Sequence, residues 1–535
     1  MLAAGAAVGM LLGTWPAVAA GSTPGHPRLT YRHTASPVRL RMRDAHGPHR
    51  RAHRRLSLLA GPSRQTGAPR TAGVIRIPTT SATAEIAGFP VMDLHRQELL
   101  YPTDQANQPP DTQLAAGPTS LAEADNSTLS VWSKSGVFLT SADLNVFFGA
   151  PPGYDFSDPR LLYDPESGRW FLSGLAENDL RDSQTYIAVS TTSDPAGDWD
   201  RFVLATHSAV VTDQPMIGVD SDKVVVSWND FSGSPPATPT FTGQETYVLQ
   251  KSDLLNHVAP AAAIFGPDTT RFRIMPALTL TAGTSTEWLA YNEAHCVSGC
   301  GPGITALGVV AITGTPSAGN VAWTEADPTF AETNRPPAPR QPGGVAVTTQ
   351  IDDRFLSAIW RNGTLWVAGN DACVPPGDSA ARACLRLVQV ATGATPSVLA
   401  DFDVSSSGVD LYYPAVATDP AGDIFIAYTK SSPAIFPTAA AVSGPAGTPA
   451  DLGNEVVLAA GEAAYLRPPS NRWGDYSAAA PDPIDPAHVW LTAEYQASAA
   501  DPAGWGTATG ELAFAMPTTR PGVTQSSPAP TPSPR

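Results

Sequence analysis

The sequence predicts an all-β chain built mainly as a single β-propeller of seven blades, with six as the alternative count. A hairpin signature that returns six times carries the prediction, together with a composition suited to short strands and turns. The signature is clearest in DPRLLYDPESGRWFLSG, from Asp158 to Gly174. There an apolar run meets a Gly-containing turn, and a second apolar run then opens on an aromatic residue. From the Pro or Ser opening the first run to the polar residue opening the turn is five residues in Pro159 to Asp164, Pro215 to Asp220, Pro276 to Thr281, Ser357 to Asn362, Pro414 to Asp419 and Ser477 to Asp482. One such hairpin cannot bury its own apolar face, so a repeating set of them calls for a radial array or solenoid. Closing strand-only units into a ring also protects their edges. With 53 Pro, 45 Gly and only 15% charged residues, long helices are disfavoured, while 42% hydrophobic content allows an ample core.

Residues 1–20, MLAAGAAVGMLLGTWPAVAA, read as a secretory signal peptide. The run is too short for a convincing membrane span and ends in the small-x-small pattern Ala17-Val18-Ala19, although no basic residue precedes it. Residues 21–84 are rich in Arg, His, Pro and Ser and are expected to form a basic disordered arm. The propeller is expected over 85–516. From Pro109 four apolar segments separated by turns predict one complete blade. Third strands are expected at TYIAVS (185), TYVLQK (246), GVVAIT (308), LRLVQV (385), EVVLAA (455) and GELAFA (510). Residues 517–535 form a Pro/Ser/Thr-rich tail with no apolar stretch after it.

The net charge of −16 conceals a split: residues 27–76 hold twelve Arg and one acidic residue, so the body from 77 onward carries about −27. A body so acidic repels phosphates and argues against nucleic acid as partner. It favours neutral ligands held by acidic acceptors and leaves room for a structural divalent cation. The four cysteines form two local pairs, Cys296 with Cys300 and Cys373 with Cys384, each inside one loop. In an exported chain this predicts two loop-closing disulfides, and spacings of four and eleven match no common zinc pattern with His295.

In a propeller the start of each first strand and the end of each second strand emerge on one face. First-strand starts offer Asp158, Asp213, Arg273, Asp353, Arg354, Tyr412, Tyr413, Arg472, Asp475 and Tyr476. Second-strand ends offer Asn178-Asp179, Asn229-Asp230, Asn292-Glu293, Asn370-Asp371 and Glu494-Tyr495. The recurring Asn-acid pair makes Asn229, Asp230, Asn292, Glu293, Asn370, Asp371 and Glu494 candidates for ligand binding. The competing explanation is local: Asn and Asp hydrogen-bond nearby backbone wherever a strand breaks into a turn.

The segments PPDTQLAAGP, DPRLLYDPESGRWFLS, AVSTTSDPAGDW, DQPMIGVD and RWGDYSAAAPDP resemble a group of exported bacterial β-propeller proteins of unassigned activity. That resemblance implies fold and export and leaves function open. A second, weaker resemblance is to sialidases. Phe272-Arg273-Ile274-Met275-Pro276 is similar to their Phe-Arg-Ile-Pro motif with one residue inserted, and Thr192-x-Asp194 to Trp199 is similar to an Asp box with Gly197 displaced by one. The arginine motif falls mid-chain rather than near the start of the propeller. The sialidase resemblance implies an arginine cluster for a carboxylate, here Arg273, Arg354 and Arg472. It also implies an acid/base among Asp158, Asp213 and Asp475, and a nucleophile in Tyr412 or Tyr476.

The residues therefore admit three readings of an extracellular or envelope-associated, monomeric chain. The first is non-catalytic binding of a glycan or small ligand, the second a sialidase-like exo-glycosidase, the third a structural protein of the envelope surface. No Gly-x-Ser-x-Gly elbow, phosphate loop, His-Glu-x-x-His helix or EF-hand loop is present.

Overall fold

A computed structural model describes residues 27–45, 68–78, 83–101, 109–178, 182–233, 239–294, 307–348, 351–468 and 471–514. The chain is all-β. Among the described residues, helix is confined to three short α-helices, Leu94–Leu100, Leu144–Phe148 and Lys251–Leu255, and one 3-10 turn. Among the described residues no helix is long and apolar enough to cross a membrane.

Antiparallel four-stranded groups follow one another along the chain. The first comprises Gln113–Ala116, Ser120–Ala124, Thr128–Ser133 and Phe138–Asp143. The second runs from Asp155–Asp164 to Asp198–Ser208, and the third from Val210–Val219 to Ala261–Asp268. The fourth runs from Met275–Pro276 to Ala322–Ala326, the fifth from Phe355–Arg361 to Ser397–Ser405, and the sixth from Asp410–Thr418 to Val456–Ala459. The seventh takes Ala478–Pro481, His488–Gln496 and Trp505–Phe514 from the end of the chain and its outer strand, Thr83–Asp93, from near the start. The short strand Leu278–Thr279 joins the third and fifth groups through parallel pairing.

First strands neighbour one another in cyclic order, the seventh returning to the first. The core lies between successive sheets rather than in one central mass. Trp170, Trp199 and Phe147 fill the space between groups one and two, Trp228 and Leu249 that between two and three, and Trp490 and Trp132 that between seven and one. All six hairpins expected from the repeat are present. One third strand differs: in the sixth group it is Ile435–Gly444, and the expected EVVLAA supplies the fourth.

The arm also differs from expectation where it is described. Leu29–His33 pairs with Ala261–Asp268, Val38–Arg41 with Asp198–Ser208, and Val74–Arg76 with Ser397–Ser405. Each extends the outer edge of a sheet, which shields that edge. Composition undervalued this segment because its order comes from main-chain pairing and from charge. Arg39 makes a two-pronged contact with Asp200 at 2.9 and 3.0 Å, and Arg70 reaches Asp401 at 3.1 Å. Cys373 and Cys384 form the predicted disulfide, whereas the predicted pair Cys296 and Cys300 lies outside the described residues.

Candidate functional site

The starts of the first strands share an unusual backbone. Asp111, Asp158, Gln214, Arg273 and Tyr413 all have left-handed φ, between 51° and 56°. Three of them precede proline, where extended backbone is the norm, and non-glycine residues avoid the left-handed region. Register shifts in the second, third and sixth groups fall at these same places. A bulge there turns the leading side chain toward the axis.

What holds this geometry is a ring of side-chain-to-backbone hydrogen bonds between neighbouring groups. Asn126 Oδ1 accepts from the Asp158 N–H at 2.8 Å, and Asp158 Oδ2 from the Gln214 N–H at 3.0 Å. Asn229 Oδ1 accepts from Arg273 N–H at 2.9 Å, Asn292 Oδ1 from Phe355 N–H at 3.3 Å, and Asn370 Oδ1 from Tyr413 N–H at 2.6 Å. Asp111 Oδ1 accepts from Asp475 N–H at 2.6 Å, joining the last group to the first. The recurring Asn of the Asn-acid pairs is thus an inter-sheet staple. Asn178 is the exception, bonding Asp182 within its own hairpin at 2.9 Å while Asp158 makes the link to the next sheet.

The remaining candidates for ligand binding are similarly engaged. Asp371 accepts from Asn334 N–H at 2.7 Å and pairs with Arg386 at 3.2 Å, and Glu494 accepts from Gly474 N–H at 2.8 Å. Asp230 faces the neighbouring sheet beside Glu245 and His207. Asn229, Asn292, Asn370, Asp371 and Glu494 are all buried. The backbone of Glu293 pairs with Phe272, and its side chain lies outside the described residues.

Inside this ring the structure brings together most of the charged residues that the sequence nominated. Asp213 feels the charges of Arg354, Arg273, Asp475 and Arg472. Arg472 makes a two-pronged contact with Asp475, one arm at 2.7 Å, and Arg354 pairs with Asp352. The Arg160 guanidinium sits 3.6 Å over the Tyr476 ring, and that of Arg273 5.9 Å from it. Tyr412 is not part of this cluster: its hydroxyl turns to Ser431 at 3.1 Å, and its neighbour Tyr413 takes the axial position.

Burial dominates the electrostatics. It pushes the Asp111 carboxyl up to about 8, with Asp475 adding to the shift, and Asp158 and Asp213 up to about 7 each, with Asp213 and Asp475 raising Asp158 further. Burial also raises the Tyr476 phenol well above its ordinary value, reinforced by Asp158. Burial opposes ionisation of Asp352 too, but the Arg354 guanidinium outweighs it and lowers that carboxyl. Several buried polar atoms have no hydrogen-bond partner among the described residues: Nε and Nη2 of both Arg160 and Arg273, Oδ2 of Asp213, Oε1 of Gln214 and the hydroxyl of Tyr476. Of these, the Arg160 and Arg273 guanidinium groups lie at the Tyr476 ring, and Arg160 is close enough to the Tyr476 hydroxyl to interact with it.

Below the cluster an axial cavity of about 80 Å³ is lined by first-strand residues from every group, among them Leu114, Arg160, Ile217, Met275, Leu356, Val416 and Ser477. Toward the ends of those strands lies a mouth of about 210 Å³, walled mainly by Leu114, Leu161, Leu278, Leu280 and Pro481 with Arg361 and Asp482 at its edge. This mouth is at the pole opposite the disulfide Cys373–Cys384. Sequence reasoning missed Asp111, Arg160, Gln214 and Asp352. Asp111, Gln214 and Arg160 were legible in position, since the first two open first strands in DTQL and DQPM and Arg160 follows the Pro that opens the second group's run.

No protein-family profile and no curated protein matches this chain. Among solved structures, a protein of unknown function from Dyadobacter fermentans is similar at 10% identity and TM-score 0.33, covering 81% of this chain and 99% of its own. The GH93 alpha-L-arabinofuranosidase of Fusarium graminearum is similar at 12% identity and TM-score 0.34, with 71% of this chain and 97% of its own covered. A mutant Trypanosoma rangeli sialidase displaying trans-sialidase activity is similar at 9% identity and TM-score 0.33, with 75% and 59% covered. At this level of identity and superposition the similarity assigns no substrate.

Proposed function

We propose that the chain is an exported, seven-bladed β-propeller that binds an extracellular glycan at its axial cluster without transforming it. The observation that carries this reading is the set of buried donors and acceptors without a hydrogen bond of ordinary length at the first-strand starts, on Arg160, Arg273, Asp213, Gln214 and Tyr476, with the Arg160 and Arg273 guanidinium groups at the Tyr476 ring. An unsatisfied buried polar group costs about 1–3 kcal/mol, and a sugar hydroxyl, both donor and acceptor, satisfies either kind. These groups are almost wholly buried, so a glycan would engage them through a terminal unit rather than along its length.

Two features speak against catalysis. Burial raises the Tyr476 phenol well above its ordinary value, which disfavours the phenolate that a nucleophile needs. Two of the three expected arginines are committed, Arg354 to Asp352 and Arg472 to Asp475, leaving Arg273 as the unpaired member of that set. A sialidase-like exo-glycosidase is the second reading. It is favoured by Asp158 and Asp213, both raised to about 7, a value suited to a general acid, with Arg273 among the charges facing Asp213.

Purified protein would be screened on a glycan array and, in parallel, against chromogenic α- and β-glycosides including a sialoside, with Arg273→Ala alongside. Saturable binding without turnover, weakened in Arg273→Ala, supports the binding reading. Turnover lost in Arg273→Ala replaces it with the glycosidase, and a folded protein inert in both assays removes the glycan reading. Export is tested separately, by N-terminal sequencing of protein recovered outside the cell; a chain still beginning at Met1 would sink the signal-peptide assignment.

A further inference from the structure

Away from the axis, His207, Asp230 and Glu245 meet between two sheets. His207 comes from the outer strand Asp198–Ser208 of the second group, Asp230 and Glu245 from the strands Lys223–Ser232 and Thr240–Gln250 of the third. Strand pairing sets Trp228 opposite Glu245, and Asp230 lies two residues beyond Trp228, so the period-two alternation of a strand puts both carboxylates on one face. One ligand atom from each of the three side chains lies within 4.8 Å of the other two.

We infer that these three residues bind a divalent cation of the zinc class, which clips the second and third sheets together. One imidazole nitrogen and two carboxylate oxygens match the ligand chemistry of zinc and leave a fourth position for water. Zinc bonds of about 2.0–2.2 Å put ligand atoms roughly 3.5 Å apart, so the observed spacing needs only a modest contraction. Calcium, which takes six to eight oxygens, is disfavoured by the imidazole.

The second observation is independent of the spacing. Asp230 is 5% exposed, and its Oδ1 makes no hydrogen bond of ordinary length among the described residues; the Trp228 indole N–H beside it is the one polar group that leans on this carboxylate, and it too lacks a close partner. The same holds for the buried atoms His207 Nε2 and Glu245 Oε2. Three neighbouring polar groups that do not bond one another form an arrangement that one cation satisfies at once. The neighbouring cation Arg32 does not fill the role: its guanidinium donates to Leu204 O at 2.7 Å and Tyr247 Oη at 2.6 Å and makes no ion pair with either carboxylate.

His207 and Glu245 are only half-buried, which gives an ion a way in.

The test uses the whole purified chain, stripped with EDTA, dialysed and titrated with Zn²⁺ against Mg²⁺ as comparator. Calorimetry and elemental analysis give the stoichiometry, and Co²⁺ substitution reports coordination through its visible absorption. The expected result is one zinc per chain, retained by His95→Gln on the exposed helix Leu94–Leu100 and weakened more than tenfold in Asp230→Asn and in His207→Gln. Should Asp230→Asn fail to fold, His207→Gln decides alone, being at the half-exposed position. Absence of stoichiometric zinc from the folded chain, or zinc retained at unchanged affinity in both variants, overturns the assignment.

Discussion

Replacing Asn370 by Ala tests whether the Asn ring or the apolar core between sheets sets the geometry of the axis. Asn370 is fully buried; it accepts from the Tyr413 N–H at 2.6 Å and donates to the Asp352 carbonyl at 2.9 Å. Truncation leaves one buried donor and one buried acceptor without partners, each at about 1–3 kcal/mol, so the expected loss is about 2–6 kcal/mol. It also frees Tyr413 from the contact that fixes its left-handed φ of 56°. The control is Asn178→Ala, where the lost bonds run only to Asp182 in the same half-buried hairpin end and the expected loss is under about 1 kcal/mol. Urea unfolding followed by tryptophan fluorescence reads both, with matching m-values required for comparison. Equal losses in the two variants would refute the claim that the recurring Asn is an inter-sheet staple.

Stability is expected to depend on pH with a defined sign. Asp111, Asp158 and Asp213 titrate at about 8, 7 and 7 when folded and near 4 when unfolded, so their contribution is complete below about pH 4 and is lost as pH rises through 7 to 8. The urea midpoint should fall between pH 5.5 and 8, and Asp213→Asn should flatten that fall; a midpoint that rises over the window in both proteins contradicts the assignment. The Cys373–Cys384 bridge spans eleven residues, and the double replacement Cys373→Ser/Cys384→Ser should cost about 2–4 kcal/mol in the same assay, with no measurable change arguing that the loop is held by its other contacts. Removing residues 1–45 uncovers the strand edges at Asp198–Ser208 and Ala261–Asp268, so light scattering should detect self-association; a monodisperse truncated chain would show that those edges need no cover.

Strand alternation and turn chemistry are local, so the sequence alone determined the all-β class, the six hairpins and the strand-start positions where Asp158, Asp213, Arg273 and Arg354 converge. The Cys373–Cys384 pairing was legible for the same reason, since eleven residues close one hairpin. Long-range partners decided the rest. Thr83–Asp93 completes the last sheet across more than 400 residues of sequence, and nothing in its own residues names Trp505–Phe514 as its neighbour. The basic arm reads as unstructured because its apolar content is low, yet Arg39, Arg70 and its main-chain groups find acidic partners and open edges that only the folded body offers. Tyr412 and Tyr413 are equivalent in composition, and a bulge sends the second to the axis and the first to Ser431. The hydrogen-bond partners of the Asn in the Asn-acid pairs come from the fold in the same way, because an Asn that caps its own turn and one that binds the next sheet have the same sequence and differ only in what the fold sets beside them.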